Sequence, residues 1–397
     1  MAECEASVQE ALSAGDHDLA NKYLRMTDYY RFRAKYINGP IFPTENLQIT
    51  IDKEAVRRSG MKILGDSIPD VMNISLEGRA AIYKSEVMML EMLANANWER
   101  PMYVAVTVVE SAYGSLGNNF IQEGLVNRIT PFETGGNVVD TDKMYDNLMH
   151  KFKFGGIDKP GVYLDETVMR MCWTHRRMFA QLVSELIKEE KTQRALEVLK
   201  YAEKVMPTAS VPHSLSSGSD ELARGWAALG QYDKAMKIAD EMKVNGKQYI
   251  DWYNYATQAR KRDMNYTLCY RDGIRPFTST FSIYFDFAAD NLRKGKSSDA
   301  KAQFSKLLSE TDQIGQWFGK ALESEKLDDQ QIGTFINEYV RVIQVMKSIE
   351  DTMQDAGMSM DAAYIGLSNR HEGILEDRYM QIQLRERQRA KQQGMIE

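Results

Sequence analysis

The sequence is short of the residues that build metal sites and disulfide frameworks. It contains three cysteines among 397 residues, Cys4, Cys172 and Cys269, and they form no CxxC pair. Widely spaced cysteines in an odd number argue against both a disulfide framework and a zinc site. The five histidines are isolated, with no HExxH motif and no other ligand spacing. We therefore predict no metal site and no cofactor.

Long apolar runs and excess positive charge are also missing. The two most apolar segments, 87–96 and 102–109, fall short of the about 18 residues that a membrane-spanning helix needs. The acidic N-terminus lacks the apolar core of a signal peptide, so the chain as given is expected to be soluble. Its formal net charge is −6, which gives no indication of binding to nucleic acid or to an anionic membrane.

Motifs for catalysis are scarce. The segment YGSLGNN lacks the spacing of a phosphate-binding loop, and no GxSxG nucleophile turn is present. Paired carboxylates suit general acid–base catalysis, and the acids in question are Asp140, Asp142, Asp146, Asp165 and Glu166. Both clusters lie where helices are predicted to begin, and helix capping explains them there. We predict no catalytic residue in this chain.

Periodicity divides the chain into three regions. Residues 1–36 form an N-terminal helical segment, residues 37–139 a small α/β domain, and residues 140–397 a continuous helical region. Alternating or β-branched segments predict strands in NLQITI, VMNISL, RPMYVAVTVV and EGLVNRITPF. The third of these is expected to be buried, and the prolines and glycine of 37–43 predict an ordered crossover.

Three further helices are predicted from local signals. An Asp N-cap begins DKEAVRRSG, and a longer helix starts after Asp165 and runs to about Glu190. In KSEVMMLEMLANAN, the spacing of the apolar residues predicts one packed face. That face consists of Val87, Leu90, Met92 and Leu93.

A repeat lies within the helical region. KTQRALEVLKYAEKVMP, residues 191–207, places Ala195, Ala202 and Pro207 at the small-residue and proline positions of the second helix in a tetratricopeptide unit. The phase recurs around Ala235 and Ala300. Two weaker units are indicated, and at least three units are needed to bury a continuous core. The weaker units are marked by Tyr253 and Ala256, and by Phe318, Ala321 and Leu322.

These patterns together predict the fold class. It is α+β, with a small mixed α/β layer followed by an all-α tetratricopeptide-like helical repeat array, and mostly helical overall. The alanines and leucines of the repeat are explained by helix packing, so binding is expected on other residues.

Aromatic residues and arginines crowd residues 249–287, where the repeat is least regular. Aromatic side chains beside cationic donors suit an extended peptide, a protein or a glycan. We predict that Trp252, Tyr255, Arg260 and Arg271 contribute to a partner-binding surface.

Three segments resemble a known family. Residues 84–108, 120–132 and 140–171 are similar to the C-terminal region of the bacterial protein-O-mannosyltransferase-like membrane proteins, long classed as a domain of unknown function. The similarity covers roughly residues 40–330. The matching residues are Asn97, Trp98, Arg100, Pro101, Glu123, Gly124, Leu125, Tyr145, Asp146, Asn147, Leu148, Lys151, Phe152, Gly155 and Gly156.

The resemblance implies a cellular location for this chain but no catalytic activity. The family's N-terminal part resembles a multi-span glycosyltransferase that uses a lipid-linked sugar and carries the presumed catalytic acids, none of which has a counterpart here. The chain is expected to correspond to the soluble C-terminal portion alone. Its location is then the cell envelope, on the outer side of the inner membrane, with a membrane association only through the missing part.

Three functions remain open from the sequence. The first is a non-catalytic interaction or substrate-positioning region of an envelope glycosyltransferase-like membrane protein. The second is a stand-alone carbohydrate-active or sugar-binding module that uses the acids of 140–166. The third is a cytosolic adaptor.

Overall fold

Short strands are confined to the first part of the chain, and helices make up the rest. The structure is a computed structural model, and it describes residues 2–36, 46–65, 67–77, 79, 82–109, 113–261 and 263–392. Helices account for 66 % of the chain, which confirms the predicted α+β, mostly helical class. The predicted crossover at 37–43 lies outside the described residues.

The chain divides into two compact units. The first comprises Met1–Gln122 with Val126–Asp140, and the second comprises Glu123–Leu125 with Thr141–Glu397. The first unit consists, in order, of α1 (Ala2–Ser13), α2 (His17–Tyr36), β1 (Asn46–Thr50), α3 (Lys53–Arg58), β2 (Val71–Ser75), α4 (Lys84–Asn95), β3 (Tyr103–Ala105), β4 (Phe120–Gln122), β5 (Val126–Ile129) and β6 (Val138–Val139).

Two small sheets form the centre of the first unit. Strands β1 and β2 pair antiparallel, and the second sheet has the order β3-β5-β4-β6. The side chain of Asp52 accepts hydrogen bonds from the amides of Glu54 and Ala55, which confirms the predicted N-cap of α3. Inward-facing residues of both sheets, among them Ile49, Ile74 and Ile121, share one apolar core.

Two predictions for this unit were wrong. The predicted buried strand after Pro101 is the short edge strand β3, in which Tyr103 is 42 % exposed, because it pairs on one side only, with β5. The predicted packed face of α4 is rotated: Val87 and Met92 are exposed, and Glu86 is buried together with Leu90 and Leu93. Arg79 compensates the buried Glu86 with a two-point ion pair.

The second unit is entirely helical. Its elements are α5 (Thr141–Asp146), which continues into a π-helical turn (Asn147–Lys151), α6 (Glu166–Lys188), α7 (Thr192–Val205), α8 (Ser219–Ala228), α9 (Tyr232–Arg260), α10 (Tyr266–Cys269), a second π-helical turn (Tyr270–Ile274), α11 (Arg275–Thr278), α12 (Phe281–Arg293), α13 (Ser297–Ala321), α14 (Asp329–Asp355) and α15 (Leu367–Gln392). The side chain of Asp165 accepts from the amide of Val168, so α6 begins as predicted.

Three helical hairpins in this unit have the same type of turn. The turns join α6 to α7, α8 to α9 and α12 to α13, and their middle residues Glu190, Gly230 and Gly295 have φ between 60° and 77°. A left-handed residue here lets the next amide reach back and satisfy a carbonyl of the last helical turn. Those bonds are Lys191 N–H to Leu186 O, Gln231 N–H to Trp226 O, and Lys296 N–H to Asn291 O, at 2.8 to 2.9 Å.

The hairpin of α1 and α2 contains the same turn. Gly15 has a φ of 75°, and the Asp16 amide donates to the carbonyl of Ala11 at 3.0 Å. Five residues after each left-handed turn residue stands a buried alanine, Ala20 here and Ala195, Ala235 and Ala300 in the second unit. The sequence ALSAGDHDLA thus carries a repeat signal at the N-terminus that the periodicity alone did not distinguish from an ordinary helix.

The two weaker repeat units differ from the prediction. Tyr253 and Ala256 lie on the continuation of α9, and Phe318 and Ala321 lie at the end of α13, with no turn separating either pair from the preceding repeat. The second helix of one hairpin is therefore fused to the helix that follows. In α9 the fusion point is marked by Gly246, after which no residue of the helix is buried.

Trp98 fixes the corner between α4 and β3. Its side chain is 4 % exposed, and its indole nitrogen donates to the carbonyl of Thr50 at 3.3 Å. Both Asn97 and Trp98 have left-handed backbone conformations, with φ of 46° and 63°. A tryptophan in this conformation is tolerated because its burial compensates the backbone cost.

We predict that Trp98→Ala lowers the free energy of unfolding by on the order of 3 kcal/mol, the usual cost of deleting a buried large aromatic side chain. Alanine also carries a Cβ, so the backbone preference is unchanged and the effect reports packing. The measurement is a urea titration, with Met92→Ala, at a 60 % exposed position, as the matched control expected to change little. Equal midpoints for both variants would contradict this role for the corner.

Candidate functional site

A groove of about 1040 Å³ opens on the second unit. One wall is α6, and the opposite wall is α9 with the π-helical turn that follows α10. The loop of residues 212–216 closes one end. The lining residues used below are Trp173, Arg177, His213, Asn245, Gln248, Tyr249, Trp252, Tyr253, Arg271, Asp272 and Arg275.

The α9 wall carries exposed aromatic side chains. Asn245, Tyr249 and Trp252 are spaced by four and three residues, so they lie on one helix face. Tyr249 and Trp252 are 51 % and 52 % exposed. Trp252 contacts Tyr253 edge to face, with ring centroids 4.8 Å apart. The exposed rings of Tyr249 and Trp252 give this wall apolar surface that is open to a ligand.

Pro276 explains the π-helical turn beside α9. A proline has no backbone N–H and cannot make the bond to the residue four positions earlier. The amide of Arg275 bonds instead to the carbonyl of Tyr270, five residues back. This wider turn places Arg271 and Asp272 on the groove, and π-helical turns of this kind often occur at functional sites.

Arg271 and Asp272 form a closed polar cluster with Tyr253. The guanidinium of Arg271 donates to both carboxylate oxygens of Asp272, at 2.6 and 2.9 Å, and Tyr253 donates its hydroxyl at 2.8 Å. The Arg271 hydrogen bond holds the pKa of Asp272 below its usual range. Burial, with help from Asp272, raises the pKa of Tyr253 to about 12. The cluster therefore stays charged on Asp272 and neutral on Tyr253 at neutral pH.

Two glycines bring the π-helical turn against α9. A Cβ on Gly273 would lie 2.8 Å from the Ile250 side chain and 3.0 Å from the Gly246 carbonyl. A Cβ on Gly246 would lie 2.8 Å from the Gly273 carbonyl. Contacts this short do not occur for real Cβ atoms, so glycine at both positions allows the two backbones to touch.

The loop at the end of the groove is held by Arg176. This side chain is 1 % exposed and donates to the carbonyls of Met206, Val211 and Pro212 at 2.6 to 3.0 Å. Burial lowers the pKa of Arg176 to about 10, so the guanidinium remains charged at neutral pH. A buried charge is tolerated when it is fully hydrogen-bonded, and here the loop carbonyls supply the acceptors.

His213 is the buried member of that loop. Its amide donates to Glu241 Oε1 at 2.9 Å, and its Nδ1 lies 2.9 Å from Ser219 Oγ. Burial, with the charges of Arg176 and Lys237 adding to it, lowers the pKa of His213 to about 3. The imidazole is therefore neutral at physiological pH and fixes the loop rather than carrying charge into the groove.

The predicted partner residues are divided by this geometry. Trp252 and Arg271 line the groove. Tyr255 and Arg260 are exposed farther along α9 and are not among its lining residues. Arg262, which the sequence places nearby, lies outside the described residues. Trp173 and Arg177 also line the groove and were not predicted, and their four-residue spacing on α6 was the available signal.

The predicted acids take structural positions. Asp165 caps α6, and Glu166 pairs with Arg170 one turn later at 3.2 Å. Asp142 pairs with Arg194, and that hydrogen bond lowers the pKa of its carboxyl. Asp146 pairs with Lys151 at 2.6 Å. Asp140 is buried, and its amide donates to the Gln122 carbonyl at 2.9 Å.

The comparisons with known proteins concern the first part of the chain. Residues 6–148 match the family model of TMEM260-associated domain 2, a domain of unknown function. The match covers about a third of the chain and ends before α6 begins. No curated protein and no solved structure matches the chain.

Two properties of the described residues bear on the class of site. Among the described residues, no helix combines the length and apolar character needed to cross a bilayer. Within that same part of the chain, no cluster of three or more histidine, cysteine or acidic side chains is arranged to hold a metal ion.

We predict that Arg176→Met releases the loop of residues 207–217. The loss of three charge-assisted hydrogen bonds leaves buried carbonyls without donors, and we expect a destabilisation of about 3 kcal/mol. Hydrogen exchange of the loop amides should rise by more than the global loss of stability explains. The neighbouring exposed Arg177→Met removes the same charge, and its loop exchange should match wild type. Unchanged loop exchange in Arg176→Met would refute the assignment.

We predict that Gly273→Ala destabilises the second unit by about 2 kcal/mol, because the added methyl group forces α9 and the π-helical turn apart. Gly333→Ala is the control, since Gly333 lies in α14 with no atom within 4 Å of the added Cβ. That variant should be neutral or stabilised by up to about 1 kcal/mol. Thermal unfolding of both proteins distinguishes loss of the close contact between Gly273 and α9 from an effect of helix propensity. Similar changes in melting temperature for both variants would contradict the contact.

Proposed function

We propose that this chain is a non-catalytic binding scaffold, in which tetratricopeptide-like hairpins hold a groove that captures a partner or substrate. The observation that carries the proposal is the exposure of Tyr249 and Trp252 on one wall of a groove whose other parts are held rigidly. Large exposed aromatics in a concave site are typical anchors of binding energy.

The rigidity of the walls supports a preformed site. Arg176 fixes the loop at one end, and the contact between Gly246 and Gly273 fixes the π-helical turn against α9. A preformed site loses less conformational entropy on binding than a flexible one. The hairpins that carry these walls match the tetratricopeptide pattern in phase and in turn length, which supports that class for the array.

The proposed system is an envelope glycosyltransferase. Its support is the resemblance of residues 84–108, 120–132 and 140–171 to the protein-O-mannosyltransferase-like membrane proteins, and in this proposal the groove positions an acceptor for a catalytic part located elsewhere. The structural positions of Asp142, Asp165 and Glu166 favour this non-catalytic role over an enzyme that uses these acids. We place the chain at the outer side of the inner membrane on the same similarity.

We predict that Trp252→Ala weakens partner binding at least about tenfold, since a central tryptophan commonly contributes about 2 kcal/mol or more. The intact chain is screened on a peptide array and a glycan array, and each hit is then titrated with wild type and variant. Stability should be unchanged, because the side chain is half exposed.

Tyr379→Ala provides the matched control for this experiment. Tyr379 is an equally exposed aromatic, at 51 %, on α15 and away from the lining residues. Its removal should leave affinity intact, and Tyr255→Ala then tests whether the surface extends along α9. Hits that bind Trp252→Ala as tightly as wild type would reject the groove, and turnover of an activated sugar by this chain alone would reject the non-catalytic role.

A further inference from the structure

The groove is rich in hydrogen-bond donors. Arg177 and Arg275 line it and are exposed, and neither makes an ion pair with any residue that the structure describes. The hydrogen bond of the Arg177 guanidinium, to Thr174 Oγ1, is long at 3.4 Å. The indole nitrogen of Trp173 is buried at the same wall and has no acceptor among the described residues. Arg177 and Arg275 therefore offer charged donors that a ligand in the groove can reach, whereas the Trp173 nitrogen is not accessible from it.

Negatively charged acceptors, by contrast, are few in the groove. Asp272 is the one carboxylate among the described lining residues. It already accepts two hydrogen bonds from Arg271 and one from Tyr253. A sugar hydroxyl both donates and accepts hydrogen bonds, whereas a carboxylate only accepts, so arginines without an ion-pair partner complement a carboxylate with charge-assisted hydrogen bonds. The composition of the site therefore favours a ligand that carries negative charge.

The remaining lining residues favour a polypeptide. Asn245 and Gln248 each present an amide with both a donor and an acceptor, which complements the peptide backbone. Tyr249 and Trp252 supply flat apolar surface for side chains between the charges. At about 1040 Å³ the groove is at the upper end of the size of small-molecule sites, and a lone phosphate would leave most of it unfilled.

We infer that the occupant is an extended peptide segment of a partner protein that carries acidic side chains, read by Arg177 and Arg275 on the two walls. This inference rests on the proposed function and names its ligand class. The chain has a net charge of −6, so long-range attraction does not bring an acidic partner to it. Recognition depends on the local pair of arginines, and it weakens as salt screens them.

The test uses fluorescein-labelled peptides and the full chain. One probe consists of three Ser-Asp-Leu-Glu repeats, and its twin replaces Asp and Glu with Asn and Gln. Fluorescence anisotropy is measured at about 50 and about 300 mM NaCl. The acidic probe should bind at least about tenfold more tightly than the amide twin at low salt. The ratio of the two affinities should be smaller at high salt.

Charge-removal variants assign the preference to the groove. Arg177→Gln/Arg275→Gln should abolish the preference for the acidic probe. Lys200→Gln/Lys347→Gln removes the same charge at exposed positions outside the groove and should retain it. Circular dichroism confirms that both double variants are folded before binding is compared.

Several outcomes overturn the inference. Equal affinity for the two probes, binding weaker than about 1 mM, or an acidic preference that survives loss of both arginines would each do so. Competition by inorganic phosphate with the same arginine dependence would instead assign a small-anion site, and tighter binding of an acidic oligosaccharide would assign a glycan. If the acidic probe fails but Trp252→Ala still weakens the affinity for the array hits, the proposal of a binding scaffold stands and only the acidic peptide is rejected. Array hits whose affinity is the same for wild type and Trp252→Ala would reject both the binding scaffold and the acidic peptide.

Discussion

The buried guanidinium of Arg176 is the interaction on which the groove depends. It lies on the first helix of a hairpin, faces inward, and collects three carbonyls of the chain that follows the second helix. A segment leaving a helix has carbonyls that lack intrahelical partners, and in the interior those groups need donors. One arginine meets this need for residues 206–212. Because the carbonyls are held at one point, the loop that they belong to becomes a wall instead of a mobile connection.

The opposite wall depends on two irregularities that act together. Pro276 removes an amide from the helix of 266–278, and the π-helical turn accommodates the loss. The glycine in that turn faces the glycine at the fusion point of α9, so the two backbones meet without side chains between them. Neither irregularity alone would turn Arg271 and Asp272 toward the groove while holding them against α9. Local deviations from an ideal helix at such places are typical of sites that evolution has shaped for binding.

The sequence predicted the regular parts of this protein better than its site. Three hairpins were predictable because small residues, a left-handed turn residue and apolar spacing all indicate the same structure at the same place. The fused helices were not predictable. Their only sequence signal is the lack of a turn residue between two repeats, and such a lack is weak evidence for a continuous helix. The orientation of α4 was missed for another reason: the inward position of Glu86 depends on a partner, Arg79, that helix periodicity does not include.

For the candidate site, composition indicated the region but not the geometry. The density of aromatics and arginines in 249–287 pointed to the α9 wall, and Trp252 and Arg271 do line the groove. Trp173 and Arg177 were not predicted, because their four-residue spacing indicates a shared helix face but not that the packing of α6 brings this face to the same groove as α9. The exposure of individual side chains could not be predicted either. Trp252 and Phe281 are both large aromatic residues of the segment 249–287, yet Trp252 is half exposed and Phe281 is buried.

The fusion of helices gives a physical reason why the binding surface lies where the repeat is least regular. In a regular array each hairpin covers the apolar face of its neighbour, and a ring on that face is buried. Beyond Gly246, α9 continues without a turn, and none of its last fourteen residues is fully buried, although Ile250 and Tyr253 pack against the core. Tyr249, Trp252 and Tyr255 are more than half exposed, at a cost of the order of 1 to 2 kcal/mol each relative to burial. Contact of the rings with a ligand recovers that free energy, so the same defect that weakens the stack supplies the driving force for binding.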